Sequence, residues 1–255
     1  MTVHLILPDQ HSHPDFNNER ADYAGKLIAD LKPDVVVNMG DAADLASLSS
    51  YDKGKASFQG RNYQRDIESH LDFQERLWTP IRRLKCKLPR RIVLEGNHEN
   101  RIKKALEYDP QLKGDKYGLS FKDLDFDRYY QDVVEYKGGT PGIITVDGIS
   151  YSHYFISGVM GRAIGGVNHA ASLINKNYSS STCAHSHLVD WAVRSNSQGK
   201  SVMGLVAGVY QDYDSSWAGH VNELWTSGIW VKRGVEDGVY DPEFISIKRL
   251  KEIYG

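Results

Sequence analysis

Seven side chains that can bind a divalent cation stand in short polar turns: Asp9, His11, Asp41, Asn97, His153, His185 and His187. Asp9 and His11 are separated by one residue, so an extended turn lets both reach one ion. Asp41 follows Gly40 at the end of an apolar run, and its two oxygens allow it to bridge two ions. Asn97 offers a neutral oxygen, and His153, His185 and His187 add three imidazoles. Such a set can hold two ions while leaving positions open for water and substrate. With no thiolate in it, the set suits Mn²⁺ first, with Fe, Zn²⁺ or Ni²⁺ as alternatives, and argues against a closed structural zinc site. Taken singly, each residue is an ordinary turn residue; the order of the five turns carries the reading.

The turns need elements to aim them. Val3 to Leu7 predicts a strand, and a helix follows from about Asn18, with Ala21, Ala24, Leu27, Ile28 and Leu31 at helical spacing. Lys32-Pro33-Asp34 stops it, because a residue before proline is pushed out of the helical region. Val35 to Met39 is apolar on both faces, as a central parallel strand requires. Asn62 to Arg83 carries a helical stripe through Ile67, Leu71, Leu77, Trp78 and Ile81, with Pro80 near its end. Ile92 to Leu94 is a third strand, broken by Gly96, and in open α/β sheets ligands bind at such strand ends. Asp147-Gly148 joins Ile143–Val146 to Ile149–Ser152 as a hairpin. A helix over 167–176 and strands at 181–184, 191–193, 201–206, 227–232 and 244–249 complete the reading. The pattern predicts one α/β domain over residues 1–255, with cap-like insertions at about 51–61 and 100–136 that stand over the site.

Composition narrows the class. A net charge of −2 gives no global basic field for nucleic acid. Arg82, Arg83, Lys85, Lys87, Arg90 and Arg91 precede a strand on the side away from the turns and read as a solvated helix end. Two cysteines, Cys86 and Cys183, are too few for a disulfide framework and read as reduced thiols. No signal-like segment or membrane span is visible, so a soluble, cytoplasmic protein without membrane partners is expected. Tyr210, Tyr213 and Trp217 read as packing, with base stacking as the alternative.

In order, Asp9-x-His11, Gly40-Asp41-x-x-Asp44, Gly96-Asn97-His98-Glu99, His153 and His185-x-His187 resemble the five motifs of the calcineurin-like metallophosphoesterases, in particular their small single-domain prokaryotic and phage branch. The resemblance runs from residue 9 to residue 187. It implies a β-sandwich of two mixed sheets flanked by helices, in four layers (αββα). It implies that Asp9, His11, Asp41 and His187 hold one ion and that Asp41, Asn97, His153 and His185 hold the other. His98 is then the general acid, or a charge stabiliser for the leaving oxygen, facing the scissile phosphate and oriented by Asp44. The implied reaction is phosphoester hydrolysis by metal-hydroxide attack, on a nucleotide-type substrate as a phosphodiesterase or phosphatase. A single-strand or end-trimming DNA or RNA nuclease is the alternative. Arg101, Arg162, His13 and Asn97 are the expected substrate contacts, and no oligomeric state is implied. Two positions depart from the family pattern: Ala184 replaces the glycine before the last His-x-His, and Leu45 replaces an arginine of the protein phosphatase branch. A non-catalytic scaffold would have lost ligands or His98, and none is lost.

Overall fold

The strand over 35–38 is apolar on both faces because both faces are covered. In the computed structural model, which describes residues 2–114, 118–215 and 217–255, it is β2 (Val35–Asn38) of a six-stranded mixed sheet. The other strands of that sheet are β1 (Thr2–Leu7), β3 (Arg90–Leu94), β4 (Asp132–Val134), β12 (Gly228–Glu236) and β13 (Val239–Ser246), in the order β13-β12-β1-β2-β3-β4. β1 to β4 run parallel, while β12 and β13 add as antiparallel strands beyond β1. Period-two alternation sorts the side chains. Leu5, Leu7, Val36 and Val93 point to one core, and Ile6, Val35, Val37, Ile92 and Leu94 to another.

The first core lies under the helices. α1 (Glu19–Leu31) and α2 (Tyr63–Arg83) cross over it, and α6 (Ile247–Tyr254) packs beside α1. Asn62 caps α2 by accepting a hydrogen bond from the Arg65 amide. Pro80 does not end α2, which continues to Arg83.

The second core joins this sheet to a five-stranded mixed sheet. Its strands are β5 (Ile144–Val146), β6 (Ile149–Tyr151), β9 (Ser181–Cys183), β10 (Val189–Ser195) and β11 (Ser201–Ala207), in the order β10-β11-β9-β6-β5. Val146, Ile149, Tyr151, Met203 and Leu205 meet Ile6, Val37 and Trp230 there. The β5–β6 turn has positive φ at both Asp147 and Gly148, the geometry a two-residue hairpin favours. α5 (His169–Asn177) covers the outer face of this sheet with Ala170 and Leu173. The chain is thus mixed α/β, and among the described residues no helix is long and apolar enough to cross a membrane.

Three expectations shift. The strand expected over 244–249 ends at Ser246, whose hydroxyl accepts the Arg249 amide and starts α6; Leu250 is the buried residue of that helix. Residues 156–163, for which the sequence predicts no element, form a small hairpin, β7 (Ile156–Ser157) with β8 (Arg162–Ala163), whose tip is 158–161. Residues 100–136 begin with α3 (Asn100–Tyr108), then turn inward. Leu124, Phe126, Tyr129 and Tyr130, around α4 (Phe126–Tyr129), are buried in the helix-side core, and β4 follows. Aromatic side chains pull this segment under α2 instead of leaving it above the turns.

Candidate metal centre

All five turns leave the carboxyl ends of parallel strands or their neighbours and converge. Asp9 follows β1, Asp41 follows β2, Asn97 follows β3, His153 follows β6, and His185 and His187 follow β9. The first three come from one sheet and the last three from the other.

The backbone is forced at four of these positions. His11, Asp41, His185 and His187 all have φ between 44° and 65°, a region non-glycine residues seldom occupy. The surroundings hold them there. The amides of Gln10 and His11 both donate to the Asp41 carbonyl, at 3.0 and 2.8 Å. The fully buried Arg20 guanidinium donates to the Gln10 carbonyl at 2.8 Å and to the Tyr210 carbonyl at 3.2 Å. The Tyr213 hydroxyl donates to the His11 carbonyl.

Glu99 braces the second and third turns. Its buried carboxylate accepts the amides of Gly96 (2.8 Å), Asp41 (3.0 Å) and Ala43 (3.0 Å). Gly96 must be glycine, since a Cβ there would run into the Asp41 carboxylate and amide. The Asp41 Oδ1 atom in turn accepts the His98 amide at 2.9 Å.

Two clusters of ligating atoms result. In the first, Asp9, His11 and His187 present atoms within 4.8 Å of one another. The Nε2 atoms of His11 and His187 face each other at 3.0 Å, and His187 Nε2 lies 3.2 Å from Asp9 Oδ2. Asp9 Oδ1 is buried with no hydrogen-bond partner. Burial, with His98 and His187 as neighbours, pushes the His11 imidazole down to about 3, so it is a neutral ring with a free lone pair.

In the second cluster, Asp41, His153 and His185 converge. His153 Nδ1 lies 2.9 Å from the Met39 carbonyl, which can only accept, so the ring proton sits on Nδ1. Its Nε2 is left facing Asp41 Oδ2 at 3.4 Å and Asn97 Oδ1 at 2.9 Å. Burial opposes a charge on this ring, yet the Asp41 and Asp9 carboxylates outweigh burial and lift it to about 10. The two carboxylates thus favour positive charge at this point. Asp41 also groups with His11 and His98, so it stands between the two clusters. These oxygen and imidazole donors, most of them buried and two with an orphaned atom (Asp9 Oδ1 and His11 Nδ1), fit a metal ion.

His98 lies beside the clusters. Its Nδ1 is 2.9 Å from Asp44 Oδ1 and 2.7 Å from the Asp44 carbonyl, while Nε2 is 3.8 Å from Asp41 Oδ2. Although burial raises the cost of ionising Asp44, its bond to His98 holds the carboxyl well below its ordinary value. Arg101 donates to the carbonyls of Asp44 (2.8 Å) and Leu45 (3.3 Å), and its Nη2 sits 3.0 Å from His98 Nε2. Arg101 is therefore a brace of the Asp44 turn in this structure. His13 stands behind Asp44, with Nε2 3.7 Å from Oδ2, outside both clusters. Arg162 is not brought to the site: it lies on the exposed β7–β8 hairpin, opposite Ser157.

The clusters open into a cleft of about 510 Å³, lined by Asp41, Asn97, His98, Arg101, His185 and His187 and by Tyr51, Asp52, Lys55 and Arg61 from the 51–61 segment. That segment supplies four of the lining residues, whereas Arg101 is the one described residue of 100–136 lining the cleft. Sequence reasoning had no role for Glu99 or Arg20. Glu99 carried a signal, a carboxylate ending Gly-Asn-His-Glu, but Arg20 sits on a helix and carried none.

No protein-family model and no curated protein matches the sequence. Among solved structures, one chain aligns over 96% of this chain and 99% of its own, with a TM-score of 0.38 and 9% identity, a likeness too slight to carry an argument.

Proposed function

We propose that this chain is a dimetal-dependent phosphoester hydrolase of the calcineurin-like metallophosphoesterase type, acting on a nucleotide-type substrate. The reading includes the family's four-layer αββα sandwich, with which the two mixed sheets and their outer helices are consistent. One observation carries it above others: two clusters of Asp and His donors, all but His185 buried, share a flank at Asp41. Asp9, His11, Asp41 and His187 are the ligands of one ion, and Asp41, Asn97, His153 and His185 those of the other. Two divalent ions, when bound, lower the pKa of water and neutralise charge on a phosphoryl group.

The chain's own groups do the rest. Asp44 holds the proton of His98 on Nδ1 and fixes the ring plane. His98 borders the cleft near Asp41; with its proton on Nδ1, Nε2 accepts from Arg101, so serving the leaving oxygen as an acid takes the doubly protonated ring with Arg101 turned aside. Arg101 keeps the Asp44 turn in register with that ring.

The test is metal content together with hydrolysis of bis-p-nitrophenyl phosphate in Mn²⁺. The wild-type chain is expected to carry two ions and turn over the ester. Asp41→Asn should bind fewer ions and lose turnover, because the shared ligand has lost its charge. Two ions and wild-type turnover in Asp41→Asn would overturn the assignment of Asp41. A wild-type chain inert on mono- and diesters would overturn the hydrolase reading.

A further inference from the structure

The three aromatic residues of the 210–217 stretch have separate fates. Tyr210 is fully buried and donates its hydroxyl to the Arg20 carbonyl. Tyr213 stacks on Phe16 at 3.8 Å and holds the His11 carbonyl. Trp217 does neither: it is 63% exposed.

Its position is not that of a stray surface residue. Trp217 lines the cleft over the ligand clusters and also a second cleft of about 380 Å³ beside it. Its indole rests on Trp225 at 5.6 Å, and Trp225 meets the His187 ring edge-on at 4.3 Å. Trp217 is thus two ring spacings from a candidate metal ligand. The loop that carries it is pinned: Asn222 accepts the Ser215 amide and donates to the carbonyls of Ser215 and Gly219. Gln211 adds a bond to the Ser215 hydroxyl. A large aromatic face is therefore held in place with water over much of it. Exposed aromatic area fixed in advance is what a planar ligand uses, since little ordering entropy is lost on binding.

The rest of the cleft selects among planar ligands. Arg61 and Lys55 are paired with Asp52 on the wall, which offers donors and acceptors rather than an apolar slot. A nucleobase has a π-face for the indole and a polar edge for such a wall.

We propose that Trp217 is the stacking platform for the nucleobase of the substrate, so that the site takes nucleoside phosphoesters in preference to sugar phosphates. This rests on the hydrolase reading for what the clusters do, but its own evidence is the fixed indole. The test is calorimetric binding to the full, Mn²⁺-loaded chain of two methylenephosphonates whose C–P bond resists hydrolysis, one of adenosine and one of ribose. The adenosine compound should bind more tightly and quench tryptophan fluorescence. Trp217→Ala should weaken it by about 5- to 100-fold, the range for removing one base–aromatic stack, and leave the ribose compound unchanged. Trp217→Phe should keep most of the preference. Equal wild-type affinities for the two compounds, or an equal loss for both in Trp217→Ala, would overturn the proposal. Metal content and bis-p-nitrophenyl phosphate hydrolysis on the same samples separate the two claims. Hydrolysis without base preference removes the platform and keeps the hydrolase; base preference without hydrolysis does the reverse.

Discussion

At the scale of single residues, His98 is gripped on both ring nitrogens, by Asp44 at Nδ1 and by Arg101 at Nε2. The Asp44 carboxylate's other neighbours, His11 and His13, stand at 3.8 and 3.7 Å, so its orientation and that of His98 are fixed together. If His98 serves the leaving group and not the ions, His98→Ala should retain the wild-type metal content and lose about 10²- to 10⁴-fold in kcat. The loss should shrink for esters with good leaving groups such as p-nitrophenolate. Equal losses across leaving groups, read from a series of substituted phenyl esters, would assign His98 to electrostatic stabilisation instead. The candidate ligands were legible because each stands in a polar turn after an apolar run. Their supports were not. Glu99 acts by accepting three amides, and Arg20 acts on the carbonyls of Gln10 and Tyr210. Asp41, Ala43 and Tyr210 lie far from them in sequence, and backbone groups have no sequence signal at all.

At the scale of elements, α1 and α2 approach closely at Gly25. A Cβ on Gly25 would fall 2.5 Å from the Leu77 carbonyl and 3.0 Å from Pro80 Cγ. Both neighbours are stiff, one being backbone and the other a ring, so the helices must separate to admit a methyl group. Gly25→Ala should therefore destabilise the fold by about 1–3 kcal/mol despite its better helix propensity, as overpacking does. Urea unfolding reads the change, and an unchanged or higher midpoint would show that α1 can shift at no cost. Helices and central strands were legible from periodicity: α1, α2, β1, β2 and β3 stand where apolar spacing puts them. The last elements were less so. Phe244, Ile245 and Ile247 form one apolar run, and what divides it is the Ser246 hydroxyl capping α6. The short β4 and the β7–β8 hairpin are too brief for any period to register.

At the scale of the whole molecule, the sheets meet over a core that includes a lysine. Lys232 is fully buried, with its Nζ bonded to Thr182 and lying 4.6 and 4.4 Å from the ring centres of Tyr151 and Tyr240. Burial pushes its ammonium well below the ordinary lysine value. The unfolded chain therefore holds this proton at pH values where the folded chain has released it. Stability should rise with pH between the folded value and about 10.4, the unfolded one. Lys232→Met removes that dependence, so the variant should gain more over wild type at pH 6 than at pH 9 in urea unfolding. A gain independent of pH would mean the lysine stays charged in the core. Nothing in the sequence marked Lys232 as interior, because β12 joins β1 from across the chain and only that pairing turns residue 232 toward Thr182.

The two sheets also divide the ligands between them. Asp9, Asp41 and Asn97 hang from the ends of β1, β2 and β3, while His153, His185 and His187 hang from β6 and β9. Each cluster draws on both. A cut near residue 150 leaves neither cluster whole: the fragment before it has carboxylates without His153, His185 or His187, and the one after it has the reverse. The centre is a seam, and its tolerance for misalignment is that of the interlayer contact. A slide of one layer by a fraction of a side chain would part His153 from Asp41 and His187 from Asp9 at once. Core residues such as Tyr151 and Trp230, which pack between the layers, are in that sense the alignment pins of the chemistry.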